Sequence, residues 1–286
     1  MKVRVQSPLA RFTEKSPLRT ILVWDDLKPQ EPIARSHYLA VVVASLLILL
    51  GGWAILSYGK FVQPDYFLPT PTQVLDRARQ MLQDGSLAEN AQASVLVIIS
   101  GWLIASIFAV PLGILMGSFK FFEALFEPIV DFVRYLPVSA LIPLLILYIG
   151  LGVEEKIAVV FIGTFFPLIL LVADVAAHVP KDLLDSAYTL GASRLRVVTN
   201  VLIPATLPGV MDNLRITIGW AWTYLVVAEL VAADKGLGIM ILDSERGLRT
   251  DTIFVGLVTI GLLGFFSDLI FKVLHRVLLP WSPKLK

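Results

Sequence analysis

Long apolar blocks separated by short polar stretches run along the chain. A helix needs about 20 mostly apolar residues to cross the hydrocarbon core of a bilayer, and six blocks of the sequence reach that length. The predicted membrane-spanning helices cover residues 38–57, 93–117, 124–149, 157–177, 212–233 and 252–273. The pattern therefore predicts an all-α polytopic membrane protein with six transmembrane helices.

The composition supports this assignment. Of the 286 residues, 56% are hydrophobic and only 16% are Asp, Glu, Lys or Arg, whereas soluble domains average about 25% charged residues. The net charge of +1 gives no indication of a nucleic-acid partner, which would need a clustered basic face. The chain contains no cysteine, which leaves its redox compartment open.

Lys and Arg residues indicate the orientation in the membrane. Segments 1–37, 118–123, 178–203 and 272–286 together hold roughly twice as many of these residues as the loops 58–92, 150–156 and 234–251. Short loops rich in positive charge stay cytoplasmic. Both termini are therefore predicted to be cytoplasmic. The predicted organisation is a cytoplasmic N-terminal segment 1–37, a transmembrane domain 38–277 and a cytoplasmic C-terminal tail 278–286.

A short amphipathic helix is predicted between the first two spans. After the stretch 67–72, apolar side chains recur at helical spacing beside charged ones. These apolar residues are Val74, Leu75, Ala78, Met81 and Leu82. The helix is predicted to lie along the outer membrane surface; the alternative is an ordinary capped loop helix.

The loop 180–204 on the predicted cytoplasmic side has the pattern of two short helices joined by a hinge. Pro180 suits a helix start, Gly191 suits a C-terminal cap with a positive φ, and Ser193 can cap a second helix. Pro204 and Pro208 are expected to mark the turn into the fifth span. The loop is either a compact docking surface for a soluble partner or a connection packed under the membrane domain.

The same loop resembles a known family motif. Residues 185–191 read Asp-Ser-Ala-Tyr-Thr-Leu-Gly, and after nine more residues Val201-Leu202-Ile203-Pro204 follow. This resembles the loop of ABC importer permeases, E-A-A, three residues, G, nine residues, I-x-L-P. The resemblance implies a type I ABC importer permease fold in which this loop docks into a groove of a cytoplasmic ATPase. The coupling residues it implies are Asp185, Ser186, Ala187, Gly191 and Pro204.

Further stretches resemble the branch of permeases for nitrate, sulfonates, taurine or bicarbonate. They lie at 67–71, 134–143 and 222–238. This resemblance implies a bacterial inner-membrane subunit that pairs with a second copy, two ATPases and an extracytoplasmic solute-binding protein. It further implies import of a small anion by alternating access, and the Pro137 to Pro143 pattern favours sulfonate or taurine over nitrate. Permeases for pyrimidine-type vitamin precursors remain a related possibility.

The sequence predicts no enzymatic chemistry for the chain itself. The phosphate-binding pattern G-x-x-x-x-G-K-S/T does not occur, so ATP and Mg²⁺ are expected to bind to the partner ATPases and not to this subunit. The histidines His37, His178 and His275 lie in separate segments and form no metal-ligand pattern. We expect no cofactor and no catalytic residue.

Three charged residues fall inside the third predicted span. Glu127, Asp131 and Arg134 follow one another at i, i+4 and i+7, and an ionisable group at membrane depth needs a specific role. Arg134 either supplies positive potential where an anion passes or is neutralised by Asp131 in a structural pair. Pro137 and Pro143 are expected to break this helix beside the pathway.

The fifth span carries a stripe of residues at helical spacing, namely Arg215, Gly219, Trp222, Val226 and Glu229. Trp220 and Thr223 lie to its sides. One interpretation is that Trp220, Trp222, Thr223 and Glu229 line the translocation pathway together with Arg134. The alternative is that Arg215 and Glu229 extend toward the membrane surfaces while the tryptophans anchor the helix in lipid.

Another class of protein would use the same charges differently. A secondary transporter or channel driven by an ion gradient would bind protons or cations at Glu127, Asp131 and Glu229. That hypothesis leaves the patterned loop 180–204 unexplained. Two other local patterns are expected to serve packing only: the G-x-x-x-G motif at 113–117 and an Asp268–Lys272 helix-surface pair.

Overall fold

The computed structural model describes residues 33–62, 67–232 and 234–282. All of its regular elements in these ranges are helical. They are α1 (Arg35–Tyr58), α2 (Pro71–Gln83), α3 (Ser86–Ser118), α4 (Lys120–Val133), α5 (Val138–Ile149), α6 (Val153–Ala177), α7 (Lys181–Thr189), α8 (Arg194–Val197), a π-helical turn (Val198–Leu202), α9 (Ile203–Ala232), α10 (Leu237–Arg246) and α11 (Thr250–Leu278). The predictions for residues 1–32, 233 and 283–286 lie outside the described ranges.

The six predicted spans are present, one of them in broken form. Within the part of the chain that the structure describes, five helical segments are long and apolar enough to cross a membrane by themselves: α1, α3, α6, the continuous segment 194–231 and α11. The sixth is the pair α4 and α5, which meet at a bend of 95°. The all-α fold is therefore confirmed, with five spans, or six if the bent pair counts as one span, and the third predicted span is not one continuous helix.

Proline explains where the third span breaks. Pro137 occupies the N-cap of α5 in an extended conformation, and its ring disfavours helical geometry at the preceding residue, Leu136, so α4 does not continue into α5. Pro143, which we also expected to break the helix, instead lies within α5. The expectation of a second break was wrong.

The entry into the fifth span also differs from the prediction. Pro204 and Pro208 were expected to mark a turn, yet both lie within α9, and the helix is continuous from residue 194. The π-helical turn before α9 provides the reason: the amide of Ile203 bonds to the carbonyl of Val198, five residues back. This wider turn relieves the clash that a proline ring creates with the preceding turn of an α-helix.

Helix α3 packs against α6 through glycine contacts. A Cβ atom added at Gly101, Gly113 or Gly117 would lie 2.8, 2.7 and 2.1 Å from a backbone oxygen of α6. Only a residue without a side chain allows this approach. The packing role expected for the motif at 113–117 is confirmed.

Helix α1 forms a unit of its own, because contacts divide the chain after residue 62. Large apolar side chains are exposed along most of its length. The hydroxyl groups of Ser45 and Ser57 donate to the carbonyls of Val42 and Trp53, both at 2.8 Å. Hydroxyl groups that donate to carbonyls of their own helix are typical of a helix in lipid, where no water is available as a partner.

The predicted amphipathic helix corresponds to α2. A capping box joins Thr70 and Gln73 at its start, and Val74 and Met81 are buried where α2 packs on α3 and α11. The Arg77 Nε atom donates to Thr252 Oγ1 of α11 at 3.0 Å. Leu75 and Leu82 are exposed, so only part of the apolar stripe is covered.

Candidate coupling loop and translocation site

The turn after α7 has the geometry that the sequence predicts. Gly191 has a φ of +80°, and its amide donates to the carbonyl of Tyr188 at 2.9 Å. The amide of Ala192 donates to the carbonyl of Ala187 at 3.0 Å. These two bonds form a Schellman motif, which ends a helix at a residue in the left-handed conformation.

The surface around this turn is open. Helix α7 has no buried residue, and Leu190 is 87% exposed. Leu184 is partly buried against the core cluster that contains Val179 and Leu202. This contact packs α7 against the rest of the helical bundle. An exposed leucine beside a rigid turn is a suitable contact for a soluble partner.

Four of the five predicted coupling residues lie together on α7 and its turn. Asp185 and Ser186 are exposed, and the Ser186 hydroxyl donates to the carbonyl of Asp182 at 2.6 Å. Pro204 lies apart, in the first turn of α9. Ser193 occupies the N-cap of α8, but its side chain makes no cap hydrogen bond, so that expectation of side-chain capping was wrong.

Arg134 lies at the break between α4 and α5. Its Nε atom donates to Asp131 Oδ1 at 3.0 Å, and a terminal nitrogen donates to the Tyr135 hydroxyl at 2.8 Å. The guanidinium carbon is also 4.3 Å from the centroid of the Tyr135 ring. The Arg134–Asp131 pair is thus present, and about a third of the arginine side chain stays exposed.

A cavity of about 230 Å³ adjoins this arginine. Its walls come from the α4–α5 break, from α6 and from α9; they include Arg134, Pro137, Gly163, Phe166, Pro167 and Tyr224. Glu127 lines a different cavity, beside Glu123 and Asp174. Asp131 pairs with Arg134, whereas Glu127, one turn earlier on the same helix α4, lines the second cavity.

The stripe on α9 divides between buried and exposed residues. Trp222 is 6% and Glu229 is 1% exposed, whereas Trp220 is 41% exposed, and Thr223 is exposed too. Trp222 packs in the cluster that contains Trp102 of α3 and Phe271 of α11. The structure does not bring the four predicted lining residues to one open surface.

Arg215 has a partner that its position in the sequence did not indicate. It pairs with Asp268 of α11, and the second oxygen of Asp268 pairs with Lys272 at 2.8 Å. The Asp268–Lys272 pair was expected, but the bond across to α9 was not. Neither interpretation of Arg215, as a pathway residue or as one reaching the membrane surface, included this link between spans.

Glu229 is enclosed by hydrogen-bond donors. The Ser94 hydroxyl donates to Oε1 at 2.7 Å, and the amide of Gly238 donates to Oε2 at 2.6 Å. Next to this site, Lys235 pairs with Glu89, and the hydrogen bond and charge of that carboxylate raise the pKa of Lys235. The alternative in which Glu229 extends toward the membrane surface does not fit this buried geometry.

Comparison with known proteins identifies the family. The model of the binding-protein-dependent transport system inner membrane component matches residues 109–280. The chain belongs to this family. It is an ABC importer permease of the branch for nitrate, sulfonates and taurine, and an inner-membrane component.

Relatives match the permease over most of its length. A probable ABC transporter permease protein of Brucella abortus is 35% identical over 88% of this chain and 99% of its own. The taurine transport system permease protein TauC of Escherichia coli is 32% identical over 89% and 94%. The nitrate import permease protein NrtB of Synechocystis is 28% identical over 86% and 90%.

A solved structure agrees on the fold. The permease resembles a chain of the MetNI methionine ABC transporter with a TM-score of 0.56 and 20% identity, over 67% of this chain and 97% of that one. This supports the type I ABC importer permease fold. Members of the family work with ATPase and binding-protein partners.

Sequence reasoning missed several residues of the candidate site in the permease. Gly163 and Tyr224 are in tight contact, since a Cβ atom on Gly163 would lie 2.6 Å from the tyrosine ring. Both line the cavity beside Arg134. A glycine in an apolar helix is a weak signal by itself, and only the fold reveals that it faces an aromatic ring.

Proposed function

We propose that this permease imports a small organic sulfonate, with taurine as the first candidate, by ATP-driven alternating access. The observation that carries the proposal is the partly exposed guanidinium of Arg134 beside a cavity at the broken third span. Arginine binds the oxygens of an oxyanion with directed hydrogen bonds. The similarity to the taurine permease TauC supports the choice of sulfonate.

The proposed pathway follows the open face of α9. Trp220 and Thr223 are exposed, and we assign them to the passage together with Arg134. Trp222 and Glu229 have other roles, because their side chains are buried within the subunit. At Arg134, the entering anion accepts hydrogen bonds from the terminal guanidinium nitrogens while Asp131 keeps its bond to Nε, so neither the arginine nor the carboxylate is left without a partner in the membrane.

The loop around Gly191 transmits the motion in this proposal. Two cytoplasmic ATPases bind ATP and Mg²⁺, and their closure moves α7 through the exposed residues Asp185, Ser186 and Leu190. The helix is continuous from residue 194 to residue 231, so a displacement at its cytoplasmic end reaches Trp220. Pro204 and the π-helical turn before it lie near the cytoplasmic end of this continuous helix.

The assembly contains a second copy of this chain. A single subunit leaves Trp220 and the apolar side chains of α4 exposed, and a homodimer would enclose the passage between two such faces. Both termini lie in the cytoplasm of a bacterial cell in this arrangement. The solute-binding protein delivers the anion at the opposite side.

Substrate-specific uptake tests this function. The permease is reconstituted into proteoliposomes with its cognate ATPase and binding protein, and labelled taurine, an alkanesulfonate, nitrate and bicarbonate are offered in parallel with ATP. The proposal predicts uptake of a sulfonate and none of nitrate. Uptake of nitrate or bicarbonate alone would overturn the substrate assignment.

A further inference from the structure

The start of α10 is held by side chains from other helices. A helix leaves its first amides without partners inside the helix, and Gly236, the N-cap of α10, has no side chain to bond them. Three successive amides donate instead to distant side chains. These bonds run from Gly236 to Asn90 at 2.8 Å, from Leu237 to Ser94 at 2.9 Å and from Gly238 to Glu229 at 2.6 Å.

Glu229 is the centre of this arrangement. It belongs to α9, accepts from the start of α10 with one oxygen and accepts from Ser94 of α3 with the other. The Ser94 hydroxyl also accepts the amide of Leu237, so serine and carboxylate form one continuous network. A carboxylate at the start of a helix also interacts favourably with the helix dipole.

The two glycines around Leu237 make room for the carboxylate. A Cβ atom at Gly236 would lie 2.3 Å from Glu229 Cδ, and one at Gly238 would lie 2.8 Å from Glu229 Cβ. Gly236 also has a φ of +143°, which side-chain-bearing residues rarely adopt. Leu237 between them is fully buried. The sequence Gly-Leu-Gly is therefore what allows a buried glutamate to contact the backbone.

Helix α10 lies in the loop 234–251, one of the loops with few Lys and Arg residues, which places it opposite the predicted cytoplasmic side. We propose that Glu229 is a positioning residue that joins α3, α9 and α10 into one rigid body, so that docking of the binding protein on this side is transmitted to the pathway helix α9. This inference rests on the proposed import function. Both oxygens of Glu229 are engaged and the residue is 1% exposed, so it does not contact the solute. Loss of either acceptor leaves a buried amide or hydroxyl without a partner.

The experiment compares the wild-type permease with Glu229→Gln, in complex with its ATPases in lipid nanodiscs. In glutamine an NH2 group, which donates, replaces one of the two carboxylate oxygens, which accept. We therefore expect hydrogen exchange of the backbone amides of residues 236–238 to accelerate about tenfold or more. We also expect the ratio of binding-protein-stimulated to basal ATPase activity to fall about fivefold or more. Glu229→Asp, with the carboxylate one methylene shorter, serves the same purpose if the glutamine variant does not reach the membrane.

Glu89→Gln is the matched control. It removes a glutamate bonded to the same loop, but one that is half exposed and paired with Lys235, and both measurements should stay at wild-type values. Hydrogen exchange that is unchanged in Glu229→Gln would overturn the proposal that Glu229 joins the three helices. Faster exchange with normal stimulation would overturn its role in transmission. If the binding protein did not stimulate the ATPase activity of the wild-type complex, the proposed function would be refuted. The hydrogen-exchange measurement would still decide whether Glu229 holds α10 in place.

Discussion

The amide of Ala192 donates to the carbonyl of Ala187 at 3.0 Å and closes α7 over the left-handed Gly191. This bond fixes the direction in which the chain leaves the proposed docking helix. The turn is open on its outer side, since no atom lies within 4 Å of the position that a Cβ on Gly191 would occupy. Substitutions there should affect docking and leave the membrane core intact.

Gly191→Arg should therefore separate folding from coupling. An L-residue in the left-handed region costs about 1–2 kcal/mol, and the long side chain projects from the proposed docking surface. We expect a normal amount of protein in the membrane with ATP-driven uptake reduced about tenfold or more. Gly191→Asn is the control, because asparagine tolerates this conformation. Undiminished uptake by the arginine variant would refute the coupling role of the loop.

Arg134 and Asp131 can be distinguished by neutralising each in turn. If Arg134 binds the anion, Arg134→Gln should raise the KM for uptake by about tenfold or more, the effect of losing a charged hydrogen bond. When uptake is normalised to the amount of permease in the membrane, Asp131→Asn should leave the KM within about twofold, since asparagine still accepts from the arginine. Concentration-dependent uptake measures both. Equal loss in the two variants, with less protein in the membrane, would indicate a purely structural pair.

The contact between α3 and α6 should tolerate no side chain at its glycines. Gly113→Leu would place atoms against Val172 and the Ile169 carbonyl, and overpacking costs about 1–3 kcal/mol. We expect a lower midpoint in thermal denaturation of the detergent-solubilised protein. Gly261→Leu on α11 is the control, because nothing lies within 4 Å of that position. Equal midpoints for the two variants would contradict the close packing.

The bond between Arg215 and Asp268 should appear in a double-mutant cycle. Asp268→Asn leaves Arg215 without its charged partner inside a span, so we expect less folded protein in the membrane than for wild type. Adding Arg215→Gln should restore part of that loss, because the uncompensated charge is removed. The amount of monodisperse protein after extraction is the readout. Additive losses would mean that the two side chains act independently.

Features set by neighbouring residues could be predicted from the sequence. The positive φ of Gly191 follows from a Schellman motif contained within a few residues, and the spans follow from the length of apolar blocks. The break at Pro137 was predictable for the same reason. Pro204 was misjudged because a π-helical turn, which no local residue signals, lets the helix continue.

Features set by distant contacts could not be predicted. Glu229 resembled a lining residue because its partner Ser94 is 135 residues away in the chain, and periodicity alone cannot tell a buried face from an open one. The same applies to Arg215, whose partner Asp268 is on another span. Helix α10 was missed because its ten residues mix apolar and charged types and its cap comes from other helices.

The energy source distinguishes an ATP-driven importer from an ion-coupled transporter. Sealed proteoliposomes that contain the permease, its ATPase and its binding protein are supplied with labelled taurine, either with ATP inside the compartment that holds the ATPases or with an imposed proton or sodium gradient and no ATP. For an ATP-driven importer we expect uptake that requires ATP and is lost in Gly191→Arg. Uptake that follows the ion gradient and is indifferent to ATP would contradict this expectation and would turn attention to the carboxylates Glu127 and Asp131.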